Sequence, residues 1–249
     1  MKIAPSDAEW RARVELAAAY RLIDHFGHGE LANNHVCARV PDEPDAFLIK
    51  PMGLFYDEVT ASSLVKYDFE GNARQPDQPK LTGPGLVIHG GVFEARPEVG
   101  ATIHSHATAI LGVACQKHGL LPITQHAILF VGKVAYVDYG GLESELSQRA
   151  ALLDKLQGKS VALLRNHGVL VLGSSIGGVM TDHYKLDLAC KAQLAALTGG
   201  HEVTLISDEL VRTTQAQINA RPFFGGGGGG LNWQGMLRMA DRLFPDYKD

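Results

Sequence analysis

Cysteine is scarce in this chain. Cys37, Cys115 and Cys190 are the only three, far apart and without C-x-x-C spacing. A disulfide framework is excluded as the organising device, and three reduced, buried thiols in a cytoplasmic protein are expected. Long apolar runs are missing as well, so no helical membrane span is expected, since one needs roughly 18 consecutive apolar residues. The opening "MKIAPSDAEWRARVELAAAY" has no apolar core followed by a small-residue cleavage site, and no secretory signal is expected from it. Basic excess is absent: 23 Lys and Arg stand against 27 Asp and Glu, a formal charge of −4. That balance removes the electrostatic reason to expect nucleic acid or an anionic membrane as a partner. No G-x-G-x-x-G follows a first strand and no Walker motif occurs, so nucleotide binding has no support.

The 249 residues, 45% of them hydrophobic, suffice for one sizeable core. Ser6-Asp7-Ala8-Glu9 fits a capping box opening a helix that runs to "FGHG". "NHVCARV" and "AFLIKP" read as strands split by the turn "PDEPD", and "VTASSLVKYDFEGN" holds a third strand before the turn Glu70-Gly71-Asn72. A helix is expected over "LVIHGGVFEARPE", a strand over "GATIHSHA" and a helix over "TAILGVACQKHG". "AILFVGKVAYVDYG" reads as strand–turn–strand and "SELSQRAALLDKLQG" as an amphipathic helix. "SVALLRNHGVLVLG" is a strand pair around a tight Asn166-His167-Gly168 turn, followed by a long helix, "SIGGVMTDHYKLDLACKAQLAAL". Helices alternating with hairpin-linked strands predict one α/β layered domain on a mixed or antiparallel sheet, not a doubly wound parallel one. Residues 1–220 form that domain; 221–249, a glycine-rich hinge (Gly225–Gly230) and a C-terminal helix, are part of it. The glycine run reads as a flexible tether, or else as a hinge closing that helix over a site.

Eleven histidines make chance pairs expected, but "GATIHSHATA" places His104 and His106 two apart in an apolar strand. With a side-chain period of two, both imidazoles leave the same face. His167, at the tip of the Asn166-His167-Gly168 turn, is the natural third partner. Three histidines with an open coordination position describe a catalytic rather than a closed structural metal site. The residues alone leave another reading open, a hydrogen-bonded pair of imidazoles and an unrelated turn histidine.

The order of motifs then brings in a resemblance. "HGGVFEARPEVGATIHSHATA" resembles the segment of the class II aldolase/adducin superfamily in which a helix bearing "H…RPDV" leads into the strand "VVHTH". "LLRNHGVLVLGSSI" is similar to that family's "LLxNHGxxxxG", and "NHVCARVP…FLIKPMGLFYDEVTASSLVKYDFEGN" to its "GNxSxR…ITPxG…DLVxVDxxG". The match runs from about Leu16 to Leu197. It implies an α/β/α sandwich, usually a four-fold tetramer, with a divalent metal held near a subunit interface by His104, His106 and His167. Zn²⁺ is the first choice, with Mn²⁺ or Fe²⁺ also suited to imidazole ligands.

The chain departs from the sugar-phosphate aldolases of that family at telling positions. Their "Ser-Ser-Glu" corresponds to Gly83, Pro84 and Gly85, their "TPSG" serine to Met52, and the asparagine of "GNxSxR" to His35. The carboxylate base and the phosphate hooks are gone, so the resemblance narrows to the adducin-related bacterial subgroup, which includes decarboxylases of hydroxylated aromatic acids. Decarboxylation and aldol cleavage share a metal-stabilised enolate, but the former needs no base, only an acid to protonate the carbanion. His126 aligns with the aldolase tyrosine that protonates across the subunit interface, and His35 is a second catalytic candidate. Gly85, Met52, Gly53, Gln125 and Tyr139 are candidates for lining a small acid substrate. Arg39 and Lys50 lie near the expected pocket, where a salt bridge or an anion would explain them equally. Beside this lyase stand a retro-aldol enzyme for a non-phosphorylated substrate, a non-catalytic adducin-like interaction domain and an iron-dependent oxygenase.

Overall fold

The structure, a computed structural model, describes residues 5–142, 146–220 and 230–249. In chain order its elements are α1 (Asp7–His25), β1 (His35–Val40), β2 (Glu43–Ile49), β3 (Val65–Asp68), a π-helical turn (Gly85–Gly90) running into α2 (Gly91–Ala95), and β4 (Ala101–Ser105). They continue with α3 (Thr108–Ala114), α4 (Gln125–Ile128), β5 (Val134–Val137), α5 (Gln148–Leu156), β6 (Val161–Leu164), β7 (Gly168–Gly173), α6 (Ile176–Leu197), α7 (Asp208–Asn219) and α8 (Gly230–Leu243).

The strands form one seven-stranded sheet in the order β3-β2-β1-β4-β7-β6-β5. Every pairing is antiparallel except β5 with β6. Alternation along the central strands sorts side chains to two apolar layers. On one face Ile103, Val169 and Val171 pack with Leu16, Ile110, Val179 and Trp233 from α1, α3, α6 and α8. On the other, Leu170 and Leu172 pack with Ile88, Phe93, Leu152 and Leu156. The expected α/β/α sandwich on a mixed sheet is therefore what the chain forms. Among the described residues no helix is long and apolar enough to cross a membrane.

Several local expectations are corrected. Residues 127–140 are not strand–turn–strand: Thr124 caps the short α4 by accepting a hydrogen bond from the Ala127 amide, and only Val134–Val137 is a strand. A short apolar run cannot by its period choose between strand and helix, and here the cap decides. The capping box is half formed. The Ser6 hydroxyl accepts from the Glu9 amide, but the Glu9 carboxylate is drawn away to Arg13 (2.8 Å) and Lys66 (3.0 Å). β2 begins at Glu43, inside the expected turn. Cys37 and Cys190 are buried, whereas Cys115 is exposed. The hinge expected at Gly225–Gly230 lies outside the described residues apart from Gly230, which opens α8. Trp233 of α8 sits so close to α6 that a Cβ on Gly177 would fall 2.4 Å from its ring, and its indole donates to Glu15 of α1 (3.1 Å).

Candidate metal centre

β4 lies between β1 and β7, and all five of its residues are buried. Its register with β7 sets His104 opposite Leu170 and Ser105 opposite Val169. The β6–β7 turn therefore closes beside the end of β4 and delivers His167. Asn166 takes the left-handed conformation (φ 58°) that tightens this turn. Gly168 is required by close approach: a Cβ there would lie 2.5 Å from the Ser105 carbonyl oxygen and 2.7 Å from the ring of His106.

The structure thus brings His104, His106 and His167 together. Their ring centroids are 4.8–5.1 Å apart, and one nitrogen from each lies within 4.8 Å of the others. Two tautomers are fixed from behind. His104 Nδ1 donates to the Val169 carbonyl (3.0 Å) and His106 Nδ1 donates to the Glu30 carboxylate (2.6 Å), so each ring keeps its lone pair on Nε2. His106 Nε2 is buried and has no hydrogen-bond partner among the described residues. Such a nitrogen is costly unless something accepts its lone pair. Burial, and then the neighbouring imidazoles led by His167, hold His104 well below the ordinary histidine range. The ring is therefore kept in the neutral, ligating form. A carboxylate-oriented histidine beside a carbonyl-oriented one is the outer shell that metal-ligating imidazoles use, so the residues present fit a divalent cation.

Glu30 is the functional residue that the sequence reading missed. It sits in the loop before β1, where it also accepts from Asn34 Nδ2 (2.9 Å). Asn34 is itself left-handed, with φ 64°. Only tertiary folding brings this carboxylate to His106, 76 residues away in sequence.

The other candidates divide. His35 stacks 6.5 Å from His104 and lies edge-on to His89 at 5.6 Å. Burial, then Lys50 and His106, push His35 down to about 3. Gly85 is buried with His35 Cε1 3.9 Å from where a Cβ would stand, and Tyr139 is half exposed, its ring 6.5 Å from that of His167. Met52 and Gly53 form an exposed turn beyond β2, and His126 and Gln125 are exposed on α4. Among the described residues no hydrogen bond or ring contact ties these four to the three imidazoles. Neither Arg39 nor Lys50 makes a salt bridge among the described residues. Arg39 donates to the Val99 and Phe93 carbonyls, and Lys50 to those of Ala32 and Leu54. A separate cavity of about 840 Å³ at the N-terminus of α1 has Glu9, Arg13, Glu43, Lys66 and Arg74 already in ion pairs, and its Asp42 carboxylate accepts from the Ser6 hydroxyl.

This seven-stranded α/β sandwich with three convergent imidazoles is of the class II aldolase type. Residues 14–194 match the family model described as "Class II Aldolase and Adducin N-terminal domain", and the chain belongs to that family. A solved aldolase II superfamily protein from Pseudomonas syringae is 39% identical, with a TM-score of 0.90 over 98% of this chain and 97% of that one. A Caulobacter vibrioides protein whose name places it among class 2 aldolases is 38% identical, over 98% of this chain and 94% of its own length. Alpha-adducin of Rattus norvegicus is 35% identical over 97% of this chain, which spans about a third (34%) of that longer protein. The L-fuculose 1-phosphate aldolase of Glaciozyma antarctica shares the fold, with a TM-score of 0.84 at 23% identity.

Proposed function

We propose that the protein is a metal-dependent carbon–carbon lyase that decarboxylates a small hydroxylated, non-phosphorylated carboxylic acid. One observation carries this reading: three imidazoles converge with two tautomers set from behind, while Gly85 stands where the sugar-phosphate aldolases place a carboxylate. His104, His106 and His167 would hold the ion, Zn²⁺ first and Mn²⁺ or Fe²⁺ as the others that suit the donors. A divalent ion there supplies Lewis acidity toward the negative charge that develops on an oxygen next to the breaking bond.

The remaining work falls to the chain. Glu30 and the Val169 carbonyl keep the ligand rings oriented. The bond to the carboxyl carbon breaks, carbon dioxide leaves, the electron pair stays on the substrate and a proton replaces the lost group. With no carboxylate at position 85, the donor must come from elsewhere. We assign it to His126 of a neighbouring copy in a homotetramer, with Met52, Gly53, Gln125 and Tyr139 lining the substrate at the interface. His35 is the candidate contact on the near side. Residues 221–249 are assigned to the same domain as residues 1–220.

Two other readings have specific support. Retro-aldol cleavage uses the same charge stabilisation, and the adducin relatives favour a non-catalytic interaction domain. Anaerobic screening of the Zn²⁺- and Mn²⁺-loaded protein against aromatic and aliphatic hydroxy acids separates them. Carbon dioxide release that disappears in His167→Ala supports decarboxylation, and aldehyde release supports the aldolase. A fully loaded protein that turns over no member of either series contradicts the enzyme reading.

A further inference from the structure

Beside the three ligand imidazoles lies a second histidine pair with unmet hydrogen-bonding capacity. His89, in the π-helical turn, has no solvent exposure; its Nδ1 is paired with the Thr102 hydroxyl (2.7 Å), and its Nε2 has no partner among the described residues. His35 Nδ1 is likewise closed off from solvent and without a partner. The two rings stand edge to face, centroids 5.6 Å apart. Two hydrogen bonds of roughly 2.9 Å meeting at one oxygen join nitrogens up to about 5 Å apart, a span of the same scale as the separation of these two rings. Two buried orphan nitrogens on neighbouring rings are costly to leave unmatched, so the pair calls for a small polar partner.

The surroundings state what that partner can be. Lys50 acts electrostatically on His35, but its ammonium is committed to the Ala32 (2.6 Å) and Leu54 (2.8 Å) carbonyls. The ammonium keeps its charge but turns two of its three N–H donors to those carbonyls, and among the described residues no Lys or Arg donates to either ring. The wall at Gly85 is apolar, with Ile49 Cδ1 and Leu81 Cδ1 at 3.3 and 3.4 Å from where a Cβ would stand. A neutral imidazole offers one donor and one acceptor, and a hydroxyl offers both in return.

We propose that His35 and His89, over the floor left by Gly85, form a subsite that recognises an uncharged hydroxyl of the substrate and selects against a phosphate at that position. The proposal rests on the metal reading, because the stacking of His35 on His104 is what sets the subsite beside the ligands. A substrate hydroxyl would supply the partner that both nitrogens lack, and the site would penalise an analogue without it.

Hydroxamates of graded tail provide the test, measured by calorimetry on Zn²⁺-loaded protein of known metal content. Acetohydroxamate probes chelation alone. 3-Hydroxypropanohydroxamate adds a terminal hydroxyl, and phosphonoacetohydroxamate an anion. The expected result is a Kd about tenfold lower for the hydroxyl probe than for acetohydroxamate, the equivalent of one good buried hydrogen bond or two modest ones. The phosphonate probe should show no gain. His35→Phe and His89→Phe should erase the hydroxyl gain while zinc content and acetohydroxamate affinity persist. Gly85→Ala, on the same π-helical turn but with both imidazoles kept, reports if the buried His89 variant does not fold, and it should reduce the gain by narrowing the floor. Equal Kd values for the methyl and hydroxyl probes, or a gain that survives His35→Phe, overturn the subsite and leave the metal reading standing. A phosphonate preference overturns the stated chemistry. A wild-type protein that takes up no zinc, and so binds no hydroxamate, overturns the metal reading and the subsite with it.

Discussion

β4 carries histidine chemistry on both of its faces, and the two faces differ in how their polar atoms are satisfied. On the face toward the π-helical turn are Thr102, His104 and His106. On the other is Ser105, whose hydroxyl meets His183 Nε2 of α6 at 2.7 Å. Behind it the rings of His28 and His183 stand 5.0 Å apart, His28 Nε2 lies 3.3 Å from the Asp187 carboxylate, and Lys191 reaches the same carboxylate at 2.7 Å. This second group is matched by a hydroxyl and a carboxylate, with a partly exposed ammonium at its edge, and of its members only His28 lacks a hydrogen-bond partner among the described residues, its Nε2 facing Asp187 as an ion pair. The first leaves His106 Nε2, His89 Nε2 and His35 Nδ1 buried without a hydrogen-bond partner among the described residues. Composition alone would treat both groups as buried histidine clusters. The difference teaches that a histidine site is identified by where its unspent lone pairs point, not by how many imidazoles it gathers.

The comparison can be broken from either side. The largest effect belongs to the open face. His104→Ala should lower bound metal from about one ion per chain to background, because two imidazoles seldom retain a divalent ion against chelator; elemental analysis after dialysis reads it directly. Glu30→Gln keeps all three ligands but removes the carboxylate behind His106. It should weaken metal binding by about 10–100-fold in competition with a fluorescent chelator, with little change in the unfolding midpoint. On the closed face the consequence should be the reverse. Ser105→Ala strands His183 Nε2 in the core and should cost about 1–3 kcal/mol in denaturant unfolding, with metal stoichiometry intact.

The smallest expected effect is on pH dependence. Burial, and next the neighbouring His28, push His183 down to about 3 despite Asp187. The unfolded chain takes up this proton near pH 6.5 and the folded one only near pH 3, so the unfolded state binds more protons between those values. The contribution is complete above about pH 6.5 and declines as pH falls toward 3. His183→Gln, assayed without metal, should therefore show a shallower loss of stability across that window. An identical slope would remove His183 from the account.

The open face was largely legible in the sequence. His104 and His106 announce themselves because a strand repeats every two residues, and His167 because Asn-His-Gly spells a tight turn. The order of the strands, which sets that turn beside β4, was not legible from local pattern, and the family resemblance implied only the sandwich and the three ligands as a set. Glu30 was not legible, since a loop carboxylate has no periodicity and reaches His106 only after β1 pairs with β4. The π-helical turn that buries His89 was read as ordinary helix, because its apolar spacing does not distinguish the two. The closed face was not legible, because the Ser105–His183 contact spans 78 residues. Residues 127–131 were misread as a strand because five apolar residues in a row satisfy either element until the Thr124 cap of α4 is seen.

The central claim is that the open face holds one catalytic metal ion. The most direct test is to titrate the chelator-stripped protein with Zn²⁺ and with Mn²⁺, counting ions per chain in the wild type and in His106→Ala. The account predicts one ion per chain in the wild type, lost in the variant while its fold is retained. A wild type that binds no stoichiometric ion, or a variant that binds as tightly as the wild type, would contradict it.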